Sequence, residues 1–288
     1  MSRKHSASGA SSKAGSGSHL LYGIHAVESV LQHQPKAVSE LYLSKAIAEQ
    51  PGRRLLQLAE ARAISVRQVE RDWFEENLTD LPHQKVAASY RQPAAATEAE
   101  LLKWLSEKAA PHLILVLDGV QDPQNFGACV RVAEALGALA VVHPKANSAS
   151  LGAATHKAAA GALAILPVVE VSNLARALQN LKQAGCWIYG AAGDSAVAID
   201  KVDFAESSVL VMGAEGSGLR DKTRKNCDQL FAIPMSGQTN SLNVSVATGS
   251  PVQRATKAFS LIYPAKPGLP AGNASPAMEW LVMRDQNR

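Results

Sequence analysis

The chain reads as an α/β protein in two parts, a small mixed unit followed by a larger one built on a parallel sheet. Three features of the sequence predict this. From His112 onward, short runs such as Leu113-Ile-Leu-Val-Leu117 and Val209-Leu-Val-Met212 are apolar at every position, as strands buried on both faces require. Helical patterns fall between those runs, the alternation that gives a parallel sheet covered on both sides. Ahead of them lie shorter alternating elements, set off by a Pro- and Ala-rich stretch over residues 93–111.

Taken in order, residues 1–18 are rich in Ser, Gly, Ala and Lys and have no hydrophobic period, so they bury nothing to offset the entropy of ordering. They are expected to form a disordered basic tail, for which a solvated arm and an RNA-contacting arm both remain open. Over residues 19–92, Ile24, Val27, Val30 and Leu31 sit at helical spacing and Glu40-Leu-Tyr-Leu43 alternates like a strand. Leu55, Leu56, Leu58 and Ala59 fit a second helix opened by Pro51. Ile64–Val66 reads as a strand, Asp72–Leu78 as a short helix and Val86–Tyr90 as a last strand. Residues 93–111 are expected to be a linker that contains a helix over Glu98–Lys108.

Residues 112–263 should form the main domain, with strands at 113–117, 139–142, 165–169, 187–189, 209–212 and 230–233. Ligands of such sheets bind beyond the carboxyl ends of the strands. Residues 264–288, rich in Pro, Gly and Ala, read as an irregular extension.

Composition narrows the function classes. With 288 residues and 47% hydrophobic content, the chain can bury at least one sizeable core. Aromatics are only 5%, so any nucleic-acid contact would rest on charge and backbone more than on stacking. The net charge of +4 lies mostly in the tail, where Arg3, Lys4 and Lys13 face no acid. Cys129, Cys186 and Cys227 form neither a disulfide framework nor a CxxC pair, which points to a reducing cytoplasm. His25, His83, His112, His143 and His156 lack metal-ligand spacing, so no metal is expected. No run approaches the roughly 18 apolar residues of a membrane span, and no signal-peptide core is present.

Three loops after predicted strands carry the chemistry. The first, Asp118-Gly-Val-Gln-Asp-Pro-Gln-Asn-Phe-Gly127, leads into a helix through Arg131. A helix start near Asn125 or Phe126 would place Asn125 at its mouth and Arg131 in its second turn. Arg131 on a solvated helix face is the plain alternative. The second, Met212-Gly-Ala-Glu-Gly-Ser-Gly-Leu219, is neither a dinucleotide fingerprint nor a phosphate loop, and by itself it fits an ordinary turn. Glu215 amid those glycines is free to accept hydrogen bonds. The third, Ile233-Pro-Met-Ser-Gly-Gln-Thr-Asn-Ser-Leu-Asn-Val-Ser-Val246, joins a polar cluster of Ser236, Gln238, Thr239, Asn240, Ser241 and Asn243 to an apolar helix start.

Asn125-Phe-Gly-Ala-Cys-Val-Arg131, Gly213-Ala-Glu-Gly-Ser-Gly-Leu219 and Ile233-Pro-Met with Ser241-Leu-Asn-Val-Ser-Val246 resemble, in order and spacing, the three motifs of the SpoU/TrmH family of RNA ribose 2'-O-methyltransferases, within the SPOUT superfamily. Tyr22-Gly-Ile-His-Ala-Val27 resembles the start of the small L30e-like RNA-binding domain of some members. The resemblance covers about residues 20–249. It implies a trefoil knot, a homodimer and S-adenosyl-L-methionine as cofactor, with a guanosine ribose of large-subunit (23S) ribosomal RNA as substrate. By the family pattern Gly213, Gly216, Ile233, Met235 and Leu242 would hold the cofactor, while Asn125, Arg131, Glu215, Ser241 and Asn243 would form the reaction centre. Two roles stay open for Arg131, base or phosphate clamp. Cys129 reads as a small buried hydrophobe rather than a nucleophile.

Two segments depart from the pattern. After Gly249 the family continues with an apolar helix, whereas here Pro251 is expected to break or kink any helix begun near Leu242. That expectation motivates an alternative: a catalytically weakened RNA-binding or ribosome-assembly protein on the same scaffold. In Asp80-Leu-Pro-His-Gln-Lys-Val-Ala-Ala88, Leu-Pro stands where a Gly-containing approach is usual. A nucleotide-dependent oxidoreductase is disfavoured by the missing fingerprint after the first strand of the sheet.

Overall fold

The computed structural model describes residues 18–47, 49–237 and 241–262. The expected tail, Ser18 apart, and the extension over 264–288 lie outside the described residues. The chain divides into two units at Pro93 and Ala94.

The first unit runs β1 (His19–Tyr22), α1 (Ile24–His33), β2 (Val38–Ser44), α2 (Glu49–Glu60), β3 (Ser65–Val69), α3 (Arg71–Asn77) and β4 (Val86–Tyr90). Its sheet has the order β1-β4-β2-β3, antiparallel except for the β2–β3 pair. β1 has no counterpart in the sequence reading, because three apolar residues are too few to show a period. It is a strand because β4 pairs with it, Leu21 opposite Ala88. Between α3 and β4 the backbone turns through positive φ at Asp80, Gln84 and Lys85 (57°, 55° and 63°). Side-chain contacts hold the last two there: Gln84 Oε1 accepts from the Ile24 N–H at 3.1 Å, and Lys85 Nζ donates to the Ala46 carbonyl at 3.0 Å.

The second unit begins with α4 (Glu98–Glu107), followed by β5 (His112–Asp118), α5 (Pro123–Ala135), β6 (Ala140–Pro144), α6 (Ala153–Ala159), β7 (Val168–Val171), α7 (Leu174–Gln183), β8 (Trp187–Ala191), β9 (Ser207–Gly213), α8 (Asp221–Lys225), β10 (Gln229–Phe231) and α9 (Val244–Ile262). The six strands form one parallel sheet of order β10-β8-β9-β5-β6-β7. Alternation along β5 explains its unbroken apolar run. Leu113, Leu115 and Leu117 pack on one face with residues of α5 and α9, while Ile114 and Val116 pack on the other with residues of α4 and α7.

Several expectations need correction. The segment expected as a linker is part of the second unit from Ala96, which bridges to Val169, through α4, whose Leu101, Trp104 and Leu105 are buried. A full capping box at Thr97 and Glu100 starts that helix. The strand expected at 165–169 begins only at Val168, because Ile165 and Leu166 close a turn onto the Ala162 carbonyl and Pro167 has no N–H to donate. α5 starts at Pro123, two residues before the expected mouth, since Asp122 caps it and proline suits the first helical position. The interrupted C-terminal helix is the largest correction, as α9 runs unbroken through Pro251. A proline inside a helix costs about 3 kcal/mol. Here Val244, Val252 and Ala255 are buried in the core that includes α5, and each valine contributes about 1.5–3 kcal/mol.

Two predictions follow from strain and burial. Replacing Lys85 with Gly removes the penalty of a left-handed non-glycine residue, about 1 kcal/mol, at the expense of one exposed hydrogen bond. Thermal unfolding of Lys85→Gly is expected a few degrees above the parent. Burial holds the imidazoles of His112 and His143 below the usual 6.5. Their contribution to stability is therefore complete above the unfolded value near 6.5 and is lost as pH falls through it toward the lower folded values, at up to about 1.4 kcal/mol per pH unit for each group. Urea midpoints should drop between pH 7 and 5, and His143→Gln should reduce that slope.

Candidate active site

β5 and β9 are neighbours in register, with Leu117 opposite Met212 and Asp118 opposite Gly213, so the loops leaving them start at one level. After Gly213 the chain folds back on itself: Ala214 bridges Gly218, and the Gly218 N–H donates to the Ala214 carbonyl at 2.9 Å. A Cβ on residue 213 would lie 2.2 Å from the Gly218 carbonyl carbon, so glycine is the only residue that permits this return. Asp118, its side chain wholly buried, fixes the loop's far end. It accepts from the Arg220 N–H at 3.0 Å and from Arg220 Nε at 2.6 Å, and it is also paired with Nη2.

α5 supplies the opposite wall. Asp122 Oδ1 accepts from the Asn125 N–H at 2.8 Å, which holds Asn125 in the first turn. Asn243 stands immediately before α9, where its Oδ1 accepts from the Ser245 N–H at 3.0 Å and from Ser245 Oγ at 2.6 Å. Its Nδ2 donates to Asn125 Oδ1 at 2.8 Å and to Glu215 Oε1 at 2.7 Å. The Val244 N–H adds a longer contact to Glu215 Oε1 at 3.3 Å. Three residues, from the first turn of α5, the loop after β9 and the turn that opens α9, thus form one network.

Two cavities meet at this network. The first, about 410 Å³, is lined by Gly213, Glu215, Gly216, Ile233, Met235, Ser241 and Leu242, together with Met212, Phe231 and other neighbours. The second, about 460 Å³, is lined by Asn125 and Glu215 with Asp118, Gln121, Asp122, Asn147, Ser217 and Arg220 among others. Every expected cofactor residue therefore borders the first cavity, and Asn125, Glu215, Ser241 and Asn243 cluster beside it. Arg131 does not join them. It lies six residues beyond Asn125 on α5, exposed, outside the linings of both cavities and without a hydrogen-bond or ion-pair partner among the described residues. Gln238, Thr239 and Asn240 of the polar cluster lie outside the described residues.

Residues 112–250 match the family model of the SpoU rRNA Methylase family, and residues 20–96 match that of RNA 2'-O ribose methyltransferase substrate binding. A 23S rRNA (guanosine-2'-O-)-methyltransferase RlmB of Pseudomonas syringae pv. tomato is 43% identical over 80% of this chain and 91% of its own length. The RlmB of Haemophilus influenzae is 42% identical over 81% and 94%. The chain belongs to the SpoU methylase family. Among solved structures, the SpoU methyltransferase AviRb from Streptomyces viridochromogenes shares the fold with a TM-score of 0.70 at 22% identity, over 84% of this chain and 90% of its own. A putative RNA methyltransferase of the TrmH family from Porphyromonas gingivalis superposes with a TM-score of 0.64 at 25% identity, over 83% and 89%.

For this SpoU member, sequence reasoning did not single out Asp118 and Arg220. An acid closing an otherwise apolar strand was the available signal, and its partner lies 102 residues away. Cys129 is buried in α5 and its thiol is pushed up to about 11, chiefly by burial, so it stays neutral near pH 7. Among the described residues, no group of three or more His, Cys, Asp or Glu is placed to hold a metal, and no helix is long and apolar enough to cross a membrane. Gly213→Ala is expected to force the 214–219 loop off Asp118 and to lower stability by about 1–3 kcal/mol, measurable by urea unfolding.

Proposed function

We propose that this chain transfers the methyl group of S-adenosyl-L-methionine to the 2'-oxygen of a guanosine ribose in 23S ribosomal RNA, in the cytoplasm and as a homodimer. The Asn125–Glu215–Asn243 network at the junction of two cavities carries the reading. Its support from kinship is that relatives named for this reaction match over four fifths of the chain. The first unit would grip RNA shape, and the basic tail has no assigned part.

The residues present fit the cofactor. The 410 Å³ cavity lies in the usual range for small-molecule sites, and its lining joins apolar Met212, Phe231, Ile233 and Leu242 to a glycine loop that offers backbone groups. Gly213, Gly216, Ile233, Met235 and Leu242 would hold the molecule, which supplies an already activated methyl group when bound. What remains for the protein is to align the ribose hydroxyl and help remove one proton. Glu215, oriented by Asn243 and the Val244 N–H, presents its carboxylate at the junction; Asn125 and Ser241 flank it. Of the two roles for Arg131, the phosphate clamp is favoured by its exposed place on α5 and by a guanidinium that stays protonated.

Exposed Met235, Leu242 and Val246, the last at 63%, support an apolar contact with a second copy beside the cavity. In this reading the segment from β10 to α9 completes the knot, and the reach of Asn243 to both Glu215 and Asn125 supports that path. The alternative of a weakened binder rested on a broken helix after Gly249, and α9 is continuous there.

The test is radiolabelled methyl transfer to large-subunit rRNA that lacks the modification. The parent is expected to methylate a ribose, while Arg131→Ala and Asn243→Ala each lose about 100-fold or more in rate. A parent that binds RNA and cofactor yet transfers no methyl would overturn the proposal.

A further inference from the structure

The second cavity is slightly larger than the first and differs from it in lining. Gln121, Asp122, Asn125, Asn147, Ser217 and Arg220 give it a larger polar share than the first cavity, and it shares Ala214, Glu215, Gly218 and Val244 with that cavity. A ligand seated in it therefore faces the carboxylate that borders the cofactor's side. Two of its acids, Asp122 and Glu215, would repel a polyanion, and Arg220 is the one cation among its lining residues. That arginine is anchored in an unusual way. Its Nε and Nη2 rest on the wholly buried Asp118, while about half of its side chain stays exposed and Nη1 has no partner among the described residues.

We propose that this cavity receives the acceptor nucleotide and that Arg220 holds a backbone phosphate flanking it, with Asp118 as the positioning residue behind it. The inference rests on the functional reading above. A guanidinium already fixed on one edge loses little rotamer freedom when its other edge meets an anion, and its planar fork suits phosphate oxygens. The same pair also ties the glycine loop to β5, so the arginine's place depends on the loop that forms the cofactor cavity. Holding the phosphate there would bring the ribose of that nucleotide toward Glu215 from the side opposite the cofactor.

Removing Arg220 alone would leave Asp118 buried without its cation, so the decisive variant neutralises both. Asp118→Asn/Arg220→Gln keeps polar groups that can still hydrogen-bond, and Arg220→Lys keeps the charge. RNA affinity is measured against salt concentration, alongside cofactor affinity and methyl transfer. Measured without cofactor, the double variant is expected to bind RNA about tenfold more weakly at low salt, with a salt slope smaller by about one. Arg220→Lys should keep the salt slope. A double variant with the parent's RNA affinity and slope overturns the inference even where the parent methylates RNA normally. Loss of cofactor affinity with an unchanged RNA slope likewise assigns the pair a structural role only. A parent that transfers no methyl to rRNA overturns the functional reading itself, and the inference with it.

Discussion

The site depends on a buried carboxylate at the end of the central strand. Asp118 closes β5 in a position that no water reaches, so its charge must be answered within the protein. Arg220 answers it twice, through its backbone N–H and through its guanidinium. Because Arg220 follows the glycine loop, this pairing fixes where that loop ends, and the β9 register fixes where it begins. Between the two anchors the chain has room only for a tight return. Gly213 allows it by lacking a Cβ, and Glu215 is thereby presented at the boundary of both cavities.

A second constraint comes from the C-terminal helix. Asn243 occupies the turn that opens α9, and the helix is held by apolar residues packed in the core shared with α5. Pro251 removes one backbone donor in its middle, yet the burial on either side outweighs that loss. Thr248 and Thr256 each donate a hydroxyl to the carbonyl four residues earlier, Val244 and Val252, back-bonding that favours a slight bend and does not replace the donor that Pro251 lacks, so it is burial that holds the helix. The position of Asn243 thus depends on packing more than ten residues further along the chain.

Much of this was readable in the sequence, for definite reasons. Strands buried on both faces are apolar throughout, so five of the six strands of the larger sheet appeared close to their true places; the sixth was shifted by the turn before Pro167. The loops that carry Asn125, Glu215 and Asn243 could be picked out because glycine and amide clusters stand out after apolar strands. Three things stayed hidden. β1 takes its identity from its partner β4, which lies more than sixty residues away. The continuity of α9 is decided by tertiary burial, against the local preference of Pro251. The Asp118–Arg220 pair joins residues whose spacing follows no short period, and only the sheet order brings them together.

The choice of asparagine at position 243 follows from the same geometry. Its amide is used in both senses: Nδ2 donates to Asn125 and Glu215, and Oδ1 accepts from the Ser245 N–H and hydroxyl. That division leaves only one orientation of the amide, since turning it over would set an oxygen against two acceptors. Aspartate has nearly the same shape and would still cap α9, but it would lose both donated bonds and place a second carboxylate against Glu215. Serine or threonine would cap the helix yet fall short of the two acceptors. A neutral, planar side chain that caps with one end and donates with the other is what this junction of α5, the glycine loop and α9 requires. The residue that starts the last helix is therefore also the one that sets the orientation of the carboxylate between the two cavities.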